Sequence, residues 1–405
     1  MEVAADTQFM RKVNSAAVLS TIRERPPMSV SALASSVGLS RQAVSRSLVL
    51  LEDLGLVSFS SPDLSENRAG RPAQLVQFRA EAGYVVGVGI SPQEVRVGVA
   101  DLSGKVVSSE RTSLRGTTVG SVLFDSIDRA LAAASITRVD VWFASVGIPG
   151  VIDPDVGVIR LIPSMPELVG GSLAQSLQDH LGCSVYLDND IKLATHGERS
   201  DAVGDIEQSF VFIHWGERVG AGIVLNGRLH RGASNDAGDI GFLDLVVGPA
   251  GWRAGNRLNG LGCFESWVGA AELVRLADDR AHSRDDIDLI QKIAGADDAF
   301  QEVLRAGVGG NAAVRDAVAE VARRFAVGIV AIRAILDPAS IVIGGPMAQL
   351  GDVLLNPLRA RLANEPLNQP RVDVSSLGDD AVLEGAIRHS LLEIEKVNYQ
   401  LPLRQ

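Results

Sequence analysis

From residue 84 onward the chain alternates short aliphatic runs with stretches of helical periodicity. Segments 84–90, 95–100 and 106–108 read as strands from their valine and isoleucine content, and 125–134 reads as a helix. Segment 139–146 is an aliphatic strand that ends in Gly147-Ile-Pro-Gly150. A helix at 173–181, a strand at 185–187 and a helix at 191–198 follow. Strands at 210–214 and 220–225 then flank a glycine turn. A long helix at 315–336 precedes a strand at 341–343, which closes on Gly344-Gly345. Strands interleaved with helices in this order restrict the body to an α/β fold with mixed sheets. Glycine-ended strands also leave backbone room for a nucleotide or sugar in a cleft between two lobes, although a single glycine turn is a common feature.

At 405 residues the chain is long enough for two or three cores. With 46% hydrophobic and 21% charged residues it is too apolar for a disordered tail. Two cysteines, Cys183 and Cys263, exclude a disulfide framework. The segment around Met10 and Arg11 lacks the uninterrupted apolar core of a secretory signal, and the apolar run 325–332 is far short of a membrane span. These features predict a soluble, cytoplasmic protein without a membrane partner. The net charge of −11 is unevenly spread. Residues 1–80 hold nine Lys/Arg against seven Asp/Glu, a charge of +2, which leaves −13 on residues 81–405. A mildly basic head on an acidic body is compatible with nucleic acid, which the average charge alone argues against.

The head has the pattern of a winged helix-turn-helix. Val18, Leu19 and Ile22 form an apolar stripe on a first helix that stops before Pro26-Pro27. Val30, Leu33, Ala34 and Val37 place a second helix, and Gly38 supplies the turn because it tolerates positive φ. Ser40 is the expected N-cap of a third helix, whose Val44, Leu48 and Leu51 face inward. Arg41, Gln42, Ser45 and Arg46 then share the opposite face, where such side chains reach base edges and phosphates in a major groove. Two short strands, 57–60 and 73–78, flank a wing carrying Arg68, Gly70 and Arg71, suited to a minor groove. The alternative is a winged helix used for protein contacts, its polar face merely solvated.

The body resembles the ROK family (repressors, sugar kinases and uncharacterised reading frames). The residues that carry the resemblance are Gly147-Ile-Pro-Gly150, Leu187-Asp-Asn-Asp190, Asn226-Gly-Arg-Leu-His-Arg-Gly232 and Ala237-Gly-Asp-Ile-Gly241. Gly262-Cys-Phe-Glu265, Asp337-Pro-Ala-Ser-Ile-Val-Ile-Gly-Gly345 and Ala381-Val-Leu-Glu-Gly-Ala386 follow in family order, so the likeness runs from about residue 84 to 390. The head and Gly70-Arg-Pro72 resemble the repressor branch. The resemblance implies a two-lobed sugar-kinase/actin-like fold behind a winged helix-turn-helix. The expected division is 1–80 for the head, 81–195 for the first lobe with helix 384–397 returning to it, and 196–383 for the second lobe.

Departures from the family pattern bear on chemistry. Kinases of the family carry Asp-x-Gly-Gly-Thr after the first strand to hold Mg²⁺ and phosphates, whereas this chain has Gly89-Ile-Ser-Pro-Gln93. Their second phosphate loop, Gly-Thr-Gly-x-Gly, reads Gly216-Glu-Arg-Val-Gly220, which puts an anion and a bulky cation where phosphate would sit. Phosphoryl transfer rests on positioning and electrostatics around the phosphates, so these losses predict no kinase activity and no cofactor. Asp190 occupies the family's general-base position as a vestigial base, alternatively as a helix N-cap carboxylate. The family's four zinc ligands correspond to Phe242, Asn256, Leu258 and Cys263, and a tetrahedral site needs all four, so no metal is expected.

The resemblance also implies a sugar pocket built from Ser164, Asn189, Asp190, Asp239 and Glu265. Carboxylates suit polyols because they accept hydrogen bonds from neighbouring hydroxyls. Asp239 stands where the family has Glu, Phe242 where it has His and Ser164 where it has Asn, so a modified sugar, a sugar phosphate and a vestigial pocket all remain open. The combined expectation is a sugar-responsive transcriptional regulator, a repressor, acting on a palindromic operator in double-stranded DNA as a homodimer or homotetramer. The competing readings are an active sugar kinase with a DNA-binding appendage, and a constitutive DNA-binding protein with an inert body.

Overall fold

The computed structural model describes residues 2–25, 27–60, 74–201, 209–244 and 262–397, with backbone alone at 2–12, 199–201 and 396–397. Wing residues Arg68, Gly70 and Arg71, and the zinc-motif positions Asn256 and Leu258, lie outside the described residues. The chain divides into two compact units. One holds Met1–Val146, Ser172–Leu187 and Ala386–Gln405; the other holds Gly147–Gly171 and Asp188–Gly385.

The first unit opens with α1 (Glu2–Arg23), β1 (Met28–Ser29), α2 (Val30–Val37), α3 (Arg41–Asp53), β2 (Val57–Ser60) and β3 (Leu75–Phe78). β1, β3 and β2 form an antiparallel three-stranded sheet in that order. Ser29 Oγ accepts from the Ala32 N–H and caps α2, and Gly38 at φ 71° ends that helix in the left-handed region. Val18, Leu19, Ile22, Leu33, Val44, Leu48, Leu51, Leu56 and Val76 are buried as the head core. Of the three apolar stripes expected from the sequence, those of the first and third helices point inward, as do Leu33 and Ala34 of the second, and β1 adds a strand to the predicted hairpin.

The same unit continues with β4 (Tyr84–Ile90), β5 (Glu94–Asp101), β6 (Val106–Ser113), α4 (Val119–Ala133) and β7 (Val141–Ile148). After the hairpin β8 (Val151–Asp153) and β9 (Val158–Leu161), which belongs to the second unit, α5 (Leu173–Leu181) and β10 (Ser184–Asn189) complete a five-stranded sheet of order β10-β7-β4-β5-β6. The second unit carries α6 (Asp190–Asp201), β11 (Phe210–Trp215), β12 (Val219–Leu225) and β13 (Arg228–His230). Five helices follow: α7 (Cys263–Val268), α8 (Ala270–Ser283), α9 (Ile287–Gly295), α10 (Ala299–Val308) and α11 (Ala312–Leu336). β14 (Ser340–Gly344), α12 (Asp352–Leu362), β15 (Arg371–Val374) and α13 (Ala381–Val397) end the described chain.

The second sheet runs β13-β12-β11-β14-β15, so each sheet has an antiparallel meander on one side and two later strands on the other. This shared plan is invisible as a sequence repeat. The core of the second unit is built on the stacked rings of Trp215 and Phe325, with centroids 3.6 Å apart, and on Phe264 beside them. The Trp215 indole N–H is satisfied by the Val268 carbonyl at 2.8 Å. Helices α7 to α10 and α12 were not expected from the sequence.

Candidate functional site

Two regions carry the candidate side chains. On α3, Val44, Ser47, Leu48 and Leu51 are buried, which leaves Arg41, Gln42, Ser45 and Arg46 exposed together on the outer face. Ser40 Oγ accepts from the Ala43 N–H at 3.2 Å, so it caps the helix and keeps its hydroxyl proton to donate. Among the described residues, neither Arg41 nor Arg46 is engaged by a carboxylate. Two free guanidiniums in the first turns of an exposed helix can pair with phosphates or guanine edges.

In the second unit the candidate pocket is assembled at the start of α6 and around α7. Asn189 is engaged at both ends of its amide: its Oδ1 accepts from the N–H groups of Ile191 and Lys192, and its Nδ2 donates to the Gly150 carbonyl at 3.0 Å. The cap of α6 is therefore Asn189, while Asp190 Oδ1 takes a further bond from the Ile191 N–H at 2.9 Å. Asp190 is desolvated, and together with the nearby Asp188 charge this pushes its pKa up to about 6 against the pull of backbone hydrogen bonds.

Asp239 is placed by glycine. Gly238 has φ 106°, and its nitrogen-to-carbonyl turn is pressed so close to β12 that a Cβ would overlap the Ala221 carbonyl; the Ala221 N–H bonds to the Gly238 carbonyl at 2.7 Å. Burial, Asp236 and Glu265 raise the Asp239 pKa, opposed by Lys192. Gly241 leaves room for the Glu265 carboxylate, whose Oε2 would lie 2.6 Å from a Cβ there. Glu265 is 3% exposed and held on three sides. It accepts from the Gly262 N–H at 2.7 Å, the Val219 N–H at 3.2 Å and Arg218 Nη1 at 3.0 Å. Ser164 is exposed on the loop after β9, and no hydrogen bond joins it to these groups among the described residues.

Sequence reasoning named Asp190, Asp239 and Glu265 as candidates and did not name the cations near them. Arg231 grips the fully buried Asp188 with both guanidinium ends, at 3.2 and 2.7 Å, and bonds Asn235 Oδ1 at 3.0 Å. Lys192, 5% exposed, donates Nζ to the Asn235 carbonyl, and burial lowers its pKa. Asp188 and Arg231 lie inside motifs quoted above, but nothing in the sequence pairs residues 43 apart. Arg218, read as an obstacle to phosphate, turns out also to be the ion-pair partner of Glu265.

The loop at 216–220 is closed on itself. The Gly216 N–H bonds to the Arg218 carbonyl at 3.1 Å, and the Gly216 carbonyl accepts from Ala270 at 3.0 Å. Beside it, burial drives the His214 pKa down to about 4, so the ring is neutral. Among the described residues no three His, Cys, Asp or Glu are grouped to hold a metal ion, and Cys263 is buried in α7. No helix among them is long and apolar enough to cross a membrane.

Comparison with known proteins matches residues 85–390 to the ROK family model and residues 12–63 to a MarR family model. A xylose repressor from Caldicellulosiruptor bescii is 23% identical over 94% of this chain and 95% of its own. A glucokinase from Halalkalibacterium halodurans is 26% identical over 75% of this chain and 93% of its own. Among solved structures, a ROK family transcriptional regulator homologous to an Escherichia coli protein superposes with a TM-score of 0.72 at 19% identity, over 95% of this chain and 97% of that one.

Proposed function

The chain belongs to the ROK family, and from that premise we propose that it is a DNA-binding transcriptional repressor whose kinase-like body senses a sugar or sugar derivative. The observation that carries this reading is the outer face of α3, where Arg41, Gln42, Ser45 and Arg46 stand exposed without carboxylate partners among the described residues. Two arginines beside Gln42 and Ser45 near the N-terminus of an exposed helix match what a recognition helix presents to phosphates and base edges. The full-length likeness to a xylose repressor supports it, because the glucokinase relative covers only 75% of this chain. Arg68, Gly70 and Arg71 of the wing add minor-groove contacts. Two copies acting as a homodimer present two recognition helices to a palindromic operator, with half-sites about 34–36 Å apart.

In the body, Asp190 and Asp239 are the acceptors for sugar hydroxyls. Asn189 and Glu265 shape the pocket wall, and Ser164 on the loop after β9 is a further candidate contact. Glu217 and Arg218 at the second phosphate loop, and the absence of a carboxylate in Gly89-Ile-Ser-Pro-Gln93, argue against phosphoryl transfer. Full-length protein should select a defined duplex from a random pool, and a panel of xylose, glucose, N-acetylglucosamine and their 6-phosphates (5-phosphate for xylose) should yield at least one thermal shift. A coupled assay giving sugar-dependent ADP that disappears in Asp190→Asn would replace this reading with a kinase.

A further inference from the structure

Helix α13 (Ala381–Val397) belongs to both units: residues up to Gly385 are part of the second and residues from Ala386 part of the first. Its first turn crosses α6, the helix that opens with Asp190, at two glycines. A Cβ on Gly385 would overlap the carbonyl oxygen of Leu193, and one on Gly197 would lie 2.8 Å from the Ala381 carbonyl. Backbone therefore rests on backbone, and neither helix can shift without the other.

One turn further along, α13 is pinned to β7 by a buried polar cluster. His389 Nδ1 lies 2.9 Å from Ser145 Oγ, Ser390 Oγ donates to Ser145 Oγ at 2.8 Å, and the His389 ring stacks on Tyr186 at 4.0 Å. At the far end Glu395 forms an ion pair with Arg23, the last residue of α1 in the winged head. The same guanidinium donates from Nη2 to the Leu102 carbonyl at 3.0 Å and lies over the Phe78 ring of β3 at 5.6 Å. Arg23 thus joins the head's first helix and its wing strand to one side chain of α13.

We propose that α13 couples the ligand site to the DNA-binding head, with Arg23 and Glu395 as the positioning residues that hand its displacement to α1. The proposal rests on the regulator reading above. A group bound at Asp190 biases α6, the glycine crossing passes that bias to α13, and the Arg23–Glu395 pair fixes the head to the helix that has moved. Arg23 touches neither ligand nor DNA in this account.

The test needs no identified effector, because a wedge at the glycine crossing stands in for one. Operator duplex selected from a random pool by the full-length wild-type protein is titrated against Gly385→Ala, against the milder wedge Gly197→Ala, and against each wedge combined with Arg23→Ala or Glu395→Gln. Circular dichroism and thermal unfolding establish which variants are folded. The expected result is that a folded wedge variant changes operator Kd about tenfold, and that the factor shrinks below about threefold once Arg23 or Glu395 is replaced. An equal factor in both backgrounds, or folded wedges without effect, overturns the coupling. If both wedges unfold, amide exchange of the α1–α3 segment is compared between wild type and Glu395→Gln, and unchanged protection overturns it. Failure of the wild type to select any duplex would instead sink the regulator reading itself.

Discussion

At Glu265 a single buried carboxylate ties together the start of α7, the start of β12 and the Arg218 side chain. Removing it leaves two backbone N–H groups and a guanidinium without their acceptor. Glu265→Ala should therefore cost roughly 2–4 kcal/mol of stability, read by urea unfolding. Arg218→Ala removes one bond from a partly exposed cation and should cost about 1 kcal/mol or less, since solvent screens it. Asp190 makes a different prediction. Its folded pKa of about 6 means it is ionised above that pH and protonated below, so on the proposed reading its strength as a sugar-hydroxyl acceptor would fall with pH. Calorimetry with whichever sugar of the panel binds should show affinity falling between pH 7.5 and pH 5 in wild type, and a flat profile in Asp190→Asn. Asp239 and Glu265 could be named as candidates from the sequence because they sit in glycine-bearing motifs, and Asp190 because it ends Leu187-Asp-Asn-Asp190. The cations around them were not legible, since Arg218 reaches Glu265, and Arg231 and Lys192 reach Asp188 and Asn235, through tertiary packing that no local spacing encodes.

The helices and strands of the head were legible at the scale of the element, because caps and apolar stripes agree there. Ser40 Oγ on the Ala43 N–H is one such cap, and Ser40→Ala should cost about 1 kcal/mol, seen as faster amide exchange at the start of α3. If Ser40 also donates to DNA, operator affinity falls by more than the fraying accounts for, whereas Ser40→Asp restores the cap and repels phosphate. The body was legible in its strands and in α11, whose 25 residues hold a continuous apolar face. Helices α7 to α10 were not. Their length is not the reason, because α8 has 14 residues and α9 and α10 are at least as long as α5, which was read; only α7, at 6 residues, is too short for a periodic signal. Their burial against Trp215 and Phe325 stabilises them, and that is a property of the assembled core.

For the whole molecule, the division of charge decides how DNA is approached. A head of +2 ahead of a body of −13 directs the basic end toward the phosphate backbone and turns the acidic body away. On the proposed reading, each phosphate that Arg41, Arg46 or the wing residues neutralise would release counterions, so operator binding should weaken with salt in proportion to the contacts made. The most direct test is fluorescence anisotropy of full-length protein on its selected duplex across a series from 50 to about 200 mM KCl, with Arg41→Ala/Arg46→Ala alongside. The account predicts that wild-type Kd rises about tenfold or more over the series, and that the double variant binds far more weakly with a shallower salt slope. Binding that ignores salt, or a double variant equal to wild type, would contradict it.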